Sequence, residues 1–203
     1  MKRMLVIIVA LFVLVIGNNI NEVATAAEKQ GLELAENAVS AIVIERDTGE
    51  VIFEKDSDKP LPPASMTKVM TMLLIMEAIE DGELKYEDMV TVSENAASMG
   101  GSQVFLEPGE KMSVDDLLKA IAVASGNDAA VAMAEHIGGT EAEFVKKMNG
   151  KAAELGLEHT SFKNTNGLPV GDHYTSAHDL AIIAKELLKH ENITLTPVST
   201  KII

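Results

Sequence analysis

The chain contains no cysteine and no tryptophan among its 203 residues. The absence of cysteine excludes disulfides, thiol catalysis and cysteine metal ligands. Aromatic residues are scarce as well, with five phenylalanines and two tyrosines. So few aromatic side chains argue against a sugar-stacking platform or an aromatic surface for single-stranded nucleic acid. The core must therefore be built from Ala, Leu, Ile, Val and eleven Met residues.

Basic residues are also few in comparison with acidic ones. The chain has 17 Lys and Arg residues against 31 Asp and Glu residues, a net charge of −14. Nucleic acid and anionic membrane surfaces would repel so acidic a protein. We therefore expect no nucleic-acid partner, and partners that are neutral, cationic or small.

The chain opens with a segment that is typical of a secretory signal peptide. Lys2 and Arg3 precede fourteen apolar or glycine residues, Met4 to Gly17, and a small-residue sequence ends at Ala26. A retained membrane anchor is the alternative, but fourteen residues fall short of the ~20 that a spanning helix needs. We predict cleavage after Ala26, which leaves a mature part, residues 27–203, with a net charge of −15. Export without cysteine suits a bacterial envelope or secreted protein.

Apolar periodicity and turn residues predict about five helices and one hairpin. Apolar runs at 38–44 and 51–53 flank a turn cluster, which is typical of a β-hairpin. Residues 83–110 mix short apolar pieces with glycine and proline and favour irregular structure. Helices are predicted at about 65–80, 113–124, 128–136, 141–155 and 176–190.

One hairpin is too little sheet for this many helices. An isolated two-stranded hairpin is marginal in water and needs further strands or a helix layer. Residues 191–203 hold β-prone pieces but no complete strand pair. Either the hairpin packs directly on helices or the sheet to which it belongs is missing.

Ser65 and Lys68 are the first candidates for chemistry. Residues three apart on a helix share a face, so the Lys68 amine can reach the Ser65 hydroxyl and take its proton. This pair is the minimum apparatus for a serine nucleophile without histidine. On the order of one Ser-x-x-Lys is expected by chance in ~200 residues, and the alternative is an N-cap serine followed by a solvent-facing lysine.

Ser125-Gly126-Asn127 is the second candidate. It follows a long apolar helix, and we expect the glycine to free the backbone so that both side chains point into a cleft. The alternative is a simple helix cap, and a rival Ser-x-Asn occurs at Ser93-Glu94-Asn95. We prefer 125–127 because the apolar helix before it would pack in the core and fix its position, whereas 93–95 lies in a polar segment.

Other kinds of site have little support. The five histidines are scattered, with no His-Glu-x-x-His, so we expect no metal site and no cofactor. A Ser-His-Asp triad needs no fixed spacing and stays open, although no Gly-x-Ser-x-Gly elbow supports it.

Together these segments resemble a known family. Pro63 to Lys68, Gly100 to Ser102 and Ser125 to Ala130 look like the corresponding motifs of the serine D-alanyl-D-alanine carboxypeptidases, the low-molecular-mass penicillin-binding proteins. The resemblance covers roughly residues 38–190, in order. Further matching segments are Phe144 to Asn149, Leu155 to Leu157, Asn164 to Leu168 and Tyr174 to Leu180.

The resemblance implies roles for four side chains. Ser65 would be the acylated nucleophile, Lys68 its base, Ser125 a proton relay to the leaving D-alanine, and Asn127 a partner of the lysine or of a substrate amide. The Ser65 amide would form half of an oxyanion hole. A lysine with a pKa near 10.4 is neutral in about one molecule in ~2,500 at pH 7, so the site must lower that pKa.

The resemblance also implies a fold and partners. The fold would be α/β, with an antiparallel sheet and a helical subdomain on either side of the site, and with the sheet incomplete in this chain. The partners would be peptidoglycan stem peptides that end in D-Ala-D-Ala, with β-lactams as covalent inhibitors. Membrane contact would occur only through an uncleaved signal segment or a lost C-terminal anchor.

One motif of the family has no counterpart in the sequence. The family carries Lys-Thr/Ser-Gly on the strand that binds the substrate carboxylate, whereas the late lysine here, Lys201, is followed by Ile202 and Ile203. We therefore expect a truncated family member, with 27–203 as a partial domain and weak or no labelling by penicillin. The two hypotheses are an exported serine carboxypeptidase and an inactive wall-peptide binder or gene fragment. A β-lactamase would need a deacylating carboxylate, and none stands out.

Overall fold

The computed structural model describes residues 34–190. The chain divides into two compact units at residue 38, and the described part of the first is a short turn in which the Ala38 N–H donates to the Ala35 carbonyl at 2.9 Å. The described part of the second unit is residues 39–190. The predicted signal peptide, 1–26, and the β-prone residues 191–203 lie outside the described residues.

The predicted hairpin is confirmed, with β1 at Ala41–Ile44 and β2 at Val51–Lys55. The strands are antiparallel, Val43 faces Phe53, and the register shifts at Ile44. Its turn is held by the Glu45 carboxylate, which accepts hydrogen bonds from the Asp47 and Thr48 N–H groups and from the Thr48 hydroxyl. These bonds favour the charged carboxylate and lower the pKa of Glu45 to about 2.

A second antiparallel strand pair was not predicted, and its first strand lies in the segment 83–110, which was predicted to be irregular. Strand β3, Met89–Thr91, pairs antiparallel with β4, Lys111–Ser113. Both strands have three residues, too short for an alternating pattern to stand out in the sequence. The fold is thus α/β, with two separate two-stranded antiparallel sheets in the described part of the chain.

The described chain contains six α-helices. The predicted helices all form, and one short helix, α2, was not predicted. Ser93, Ser113, Thr140 and Ser176 cap the helices that follow them, each accepting a hydrogen bond from a backbone N–H three residues on. The helices are α1 Lys68–Glu80, α2 Glu94–Ala97, α3 Val114–Ala124, α4 Asn127–Gly138, α5 Glu141–Glu154 and α6 Ala177–Leu187.

Helix α1 lies at the centre of the core. It contacts α3, α4, α5 and α6, and its Met70, Leu73 and Ile75 side chains are fully buried. Helix α4 is nearly as enclosed, since all residues from Asn127 to Ala134 are buried. The core therefore fixes the N-terminal ends of α1 and α4, where the candidate residues lie. Within residues 34–190, no helix is long and apolar enough to cross a bilayer.

Candidate active site

The segment that carries Ser65 is a 3₁₀ turn, Ala64–Thr67, rather than the start of the predicted α-helix. Helix α1 begins only at Lys68. The tighter turn still places the two side chains together, because i and i+3 residues eclipse in 3₁₀ geometry. Lys68 Nζ lies 3.2 Å from Ser65 Oγ. Ser65 is exposed, whereas Lys68 is 2 % exposed, so the hydroxyl faces solvent and the amine lies behind it.

The Lys68 amine has three hydrogen-bond partners. Besides Ser65 Oγ, Nζ donates to Asn127 Oδ1 at 2.7 Å and to the Asn166 carbonyl at 2.9 Å. A neutral amine has two hydrogens and one lone pair. The amide and carbonyl oxygens can only accept, so they take the two hydrogens. The lone pair is then left for the Ser65 hydroxyl, which is the geometry of a general base.

Burial makes the neutral amine accessible near physiological pH. Desolvation disfavours the ammonium and lowers the pKa of Lys68 to about 8. At that value about one molecule in ten is neutral at pH 7, compared with about one in ~2,500 for an ordinary lysine. The pKa shift that the sequence analysis required therefore has a physical cause in the fold.

Asn127 is oriented by a second hydrogen bond. Its Nδ2 donates to the Gly100 carbonyl at 2.7 Å, which fixes Oδ1 toward Lys68. Its backbone N–H donates to the Ser102 carbonyl at 2.8 Å, so the same residue ties the Gly100 to Ser102 segment to the site. The sequence-predicted Asn127 and Lys68, 59 residues apart, are thus brought into direct contact.

Ser125 lies between helices α3 and α4, two residues before Asn127. It has a left-handed backbone with φ 55°, whereas Gly126 has φ −59°. The expectation that the glycine supplies the backbone freedom was therefore wrong. Gly126 is needed for space instead, because a Cβ there would lie 3.0 Å from Asp128 Oδ1. No hydrogen bond involves Ser125 Oγ within residues 34–190, and the side chain is partly exposed.

The loop that contains Asn166 and Gly167 also lines the site, beside the 64–67 turn and the 125–127 segment. Thr71 Oγ1 donates to the Thr165 carbonyl at 2.7 Å, next to the bond from Lys68 to Asn166. Gly167 has φ +87°, and a Cβ there would lie 1.8 Å from the Ala64 carbonyl oxygen. The sequence analysis named Asn164 to Leu168 as a matching segment but gave it no role, because the contact to Lys68 is made by a backbone carbonyl that any residue has.

The rival Ser93 and Asn95 have a structural role. Ser93 Oγ and Asn95 Nδ2 both donate to the Glu135 carboxylate, at 2.5 and 2.8 Å, and Ser93 caps α2. These bonds attach α2 to α4. Asn127 contacts Lys68, whereas Asn95 contacts Glu135, and the choice of Ser125 over Ser93 stays a prediction.

The buried Asp128 binds the backbone of segment 104–106. Its carboxylate accepts hydrogen bonds from the Val104, Leu106 and Ala129 N–H groups at 2.9–3.2 Å. Asp128 is 1 % exposed and directly follows Asn127. Sequence reasoning passed over this residue, although a carboxylate at the N-terminus of a buried helix is favourably placed.

The remaining titratable groups of the described residues are spread over the fold. Within residues 34–190, no group of three or more His, Asp or Glu side chains is placed to hold an ion. His173 contacts the candidate turn, where its Nε2 lies 2.8 Å from Thr67 Oγ1. His178 lies near Asp58 and Asp179, at 3.7 and 3.6 Å.

Comparison with known proteins gives close relatives. The chain is 65% identical over 166 residues to the D-alanyl-D-alanine carboxypeptidase DacF of Bacillus subtilis, covering 82% of this chain and 43% of that protein. It is 37% identical over 171 residues to DacC of Escherichia coli, covering 81% of this chain and 43% of that protein. The chain thus spans less than half the length of these relatives.

Solved structures agree with the fold. The D-alanyl-D-alanine carboxypeptidase DacD from Francisella tularensis superposes with a TM-score of 0.74 at 41% identity, covering 75% of this chain and 37% of that one. Penicillin binding protein 5 from Haemophilus influenzae gives 0.72 at 35% identity, covering 75% and 45%. The family model described as D-alanyl-D-alanine carboxypeptidase matches residues 23–201. This chain belongs to the D-alanyl-D-alanine carboxypeptidase family.

Proposed function

We propose that the protein is a serine-type D-Ala-D-Ala carboxypeptidase that removes the terminal D-alanine of peptidoglycan stem peptides through an acyl-enzyme. The observation that carries the proposal is the Lys68 amine, which has two fixed oxygen acceptors and Ser65 Oγ at 3.2 Å. This arrangement leaves a lone pair for the serine proton at the exposed edge of the site. The family membership and the named relatives support the same reaction.

Acylation uses the neutral form of Lys68. Ser65 Oγ attacks the carbonyl carbon of the penultimate D-alanine while its proton passes to Lys68 Nζ. The carbonyl oxygen gains negative charge, which the Ser65 N–H at the start of the turn stabilises as half of an oxyanion hole. Asn127 and the Asn166 carbonyl then hold the ammonium in place, since a third hydrogen on Nζ adds to the two bonds already made.

The leaving group needs a proton. When the peptide bond breaks, the terminal D-alanine departs as an amine that takes the proton from Lys68 by way of the Ser125 hydroxyl. Ser125 suits this relay because it lies two residues before Asn127, whose side chain contacts Lys68, and because it is partly exposed. Water then hydrolyses the Ser65 ester, with Lys68 again as the base. The reaction uses no metal and no cofactor.

The proposed place of action is outside the cytoplasm. The leader at 1–26 would direct export, and residues 27–203 would act on the cell wall, where stem peptides are found. β-Lactams would acylate Ser65 in the same way as the peptide. Amino-terminal sequencing of the secreted protein tests the leader: the expected first residue is Ala27, and recovery of Met1 from the exported protein would contradict it.

A fluorescent penicillin tests the chemistry. We expect slow covalent labelling on the peptide that contains Ser65, because these 203 residues include no Lys-Thr/Ser-Gly. S65A and K68A should not label, whereas S98A, which changes an exposed serine at the end of α2, should label like the wild type. A folded wild-type protein that never labels, or an S65A variant that does, would overturn the proposal.

A further inference from the structure

His173 is buried beside the turn that carries Ser65, and the acylation chemistry leaves it without a role. It is 6 % exposed. Nε2 lies 2.8 Å from Thr67 Oγ1, and Nδ1 accepts a hydrogen bond from the Lys163 backbone N–H at 3.0 Å. The edge of its ring meets Phe162, with centroids 5.9 Å apart and an interplanar angle of 70°. The ring therefore joins the turn to the 161–163 segment.

The partners of the two ring nitrogens determine the tautomer. A backbone N–H can only donate, so Nδ1 must present its lone pair to Lys163. The proton of the neutral imidazole is then on Nε2, and that N–H donates to Thr67 Oγ1. An imidazolium would place a second N–H at Nδ1, directly against the N–H of Lys163. The observed contacts are therefore compatible with the neutral ring alone.

His173 closes the loop that contacts Lys68. Lys163 and His173 are the two ends of loop 163–173, and their hydrogen bond joins these ends. Within the loop, the Thr165 and Asn166 carbonyls accept hydrogen bonds from Thr71 and Lys68. The bond from His173 to Thr67 attaches the closed base of the loop to the same stretch of chain, one residue before Lys68.

We propose that neutral His173 is a positioning residue that holds the Asn166 carbonyl against the Lys68 amine by attaching the base of loop 163–173 to the turn that carries Ser65. It touches neither substrate nor the reacting atoms. Its effect on the rate rests on the proposed function, whereas its effect on Lys68 does not, since the proton equilibrium of the amine exists without substrate.

The charges around the ring oppose its protonation. Burial lowers the pKa of His173, and the Lys163 ammonium lowers it further. Acid therefore breaks the attachment only when the imidazole takes a proton against both burial and like charge.

Two variants separate the two bonds of the ring. In H173N, the side-chain oxygen can still accept from the Lys163 N–H but cannot reach Thr67. In H173Q, the longer amide can still donate to Thr67 Oγ1. H136Q, which changes an exposed histidine of helix α4, is the matched control. The readouts are the pKa of Lys68 from its side-chain NMR resonances and the rate of penicillin acylation.

We expect the Lys68 pKa to rise by about one unit in H173N, because a looser Asn166 carbonyl admits water to the amine. The neutral fraction at pH 7, and with it the acylation rate, then falls about tenfold. H173Q should lose less than about threefold, and H136Q nothing. Nitrogen–proton couplings in the wild type should show the proton of His173 on Nε2, with the resonance assigned by its loss in H173Q.

Three results would overturn the proposal: a proton on Nδ1, an unchanged Lys68 pKa in folded H173N, or equal losses in H173N and H136Q. If H173N does not fold, an acid titration of the wild type provides the test. The Lys68 resonances must shift as His173 titrates, and unshifted resonances would overturn the proposal. A protein with the expected Lys68 behaviour that never labels contradicts the proposed function and leaves the positioning role intact.

Discussion

Lys68 Nζ donates to the backbone carbonyl of Asn166, 98 residues further along the chain, at 2.9 Å. Together with Asn127 Oδ1 at 2.7 Å, this carbonyl occupies both hydrogens of the neutral amine. Two uncharged oxygens thus orient the amine so that its lone pair can accept the serine proton. A carboxylate in either place would stabilise the ammonium and raise the pKa of Lys68.

The pH dependence of acylation should follow Lys68. The neutral amine is the reactive form, so the rate rises with pH as the amine loses its proton. With a pKa of about 8, the rate should increase about tenfold from pH 7 to a plateau above pH 9. Stopped labelling reactions with a penicillin of pH-independent reactivity measure this profile, and a rate that stays flat between pH 7 and pH 9 would exclude Lys68 as the base.

N127D should be a poor enzyme near neutrality. The new carboxylate lies beside Lys68 Nζ, favours the ammonium and raises its pKa by more than one unit, so acylation at pH 7 falls more than about tenfold. N127A should also lose activity, because one acceptor of the amine and the bond to Gly100 disappear together. Labelling rates of both variants check this.

The two Ser-x-Asn sequences give a matched contrast. S93A and N95A remove bonds to Glu135 and should lower stability by about 1 kcal/mol each with less than a twofold change in labelling. S125A should do the reverse, with a large loss of labelling and a smaller loss of stability. N127A should lose labelling and also about 1–3 kcal/mol of stability, because the buried Lys68 amine and the Gly100 carbonyl each lose a partner. Equal labelling by all four variants would refute the assignment of 125–127 to the site.

G167A should disturb the site by steric conflict. The added Cβ would lie 1.8 Å from the Ala64 carbonyl oxygen, and φ +87° is unfavourable for alanine. We expect a loss of about 3 kcal/mol or more in urea unfolding, with slower labelling. G171A is the control, because nothing lies within 4 Å of its Cβ, and it should change stability by less than about 1 kcal/mol. Similar losses in both variants would count against the close contact.

D128A should detach segment 104–106 from helix α4. Three backbone N–H groups lose their acceptor, and we expect a loss of about 3 kcal/mol in the free energy of unfolding. D116N changes an exposed aspartate that bonds the Ser113 cap and should lose less than about 1 kcal/mol. Amide exchange at Val104 and Leu106 should increase in D128A alone; unchanged exchange there would show that other contacts hold the segment.

Much of the fold was predictable from local patterns. The five predicted helices formed because their apolar periodicity and caps are properties of neighbouring residues, and the β1 and β2 hairpin followed from two apolar runs around a turn cluster. Strands β3 and β4 were missed because three residues each do not make a pattern. Their pairing joins Met89 to Ser113, a contact that depends on the packing of the segments between them.

The sequence alone determined which side chains are available for chemistry. Ser65 and Lys68 are close because they are three positions apart on one helical turn. Their flanks, together with Ser125 and Asn127, resemble the family to which the chain belongs. Only the tertiary structure decided what makes Lys68 a base. Burial by the packed helices lowers the pKa of Lys68. A backbone carbonyl from a loop 98 residues away takes one hydrogen of the amine and so directs its lone pair. Neither effect depends on a particular residue type that could be recognised in the sequence.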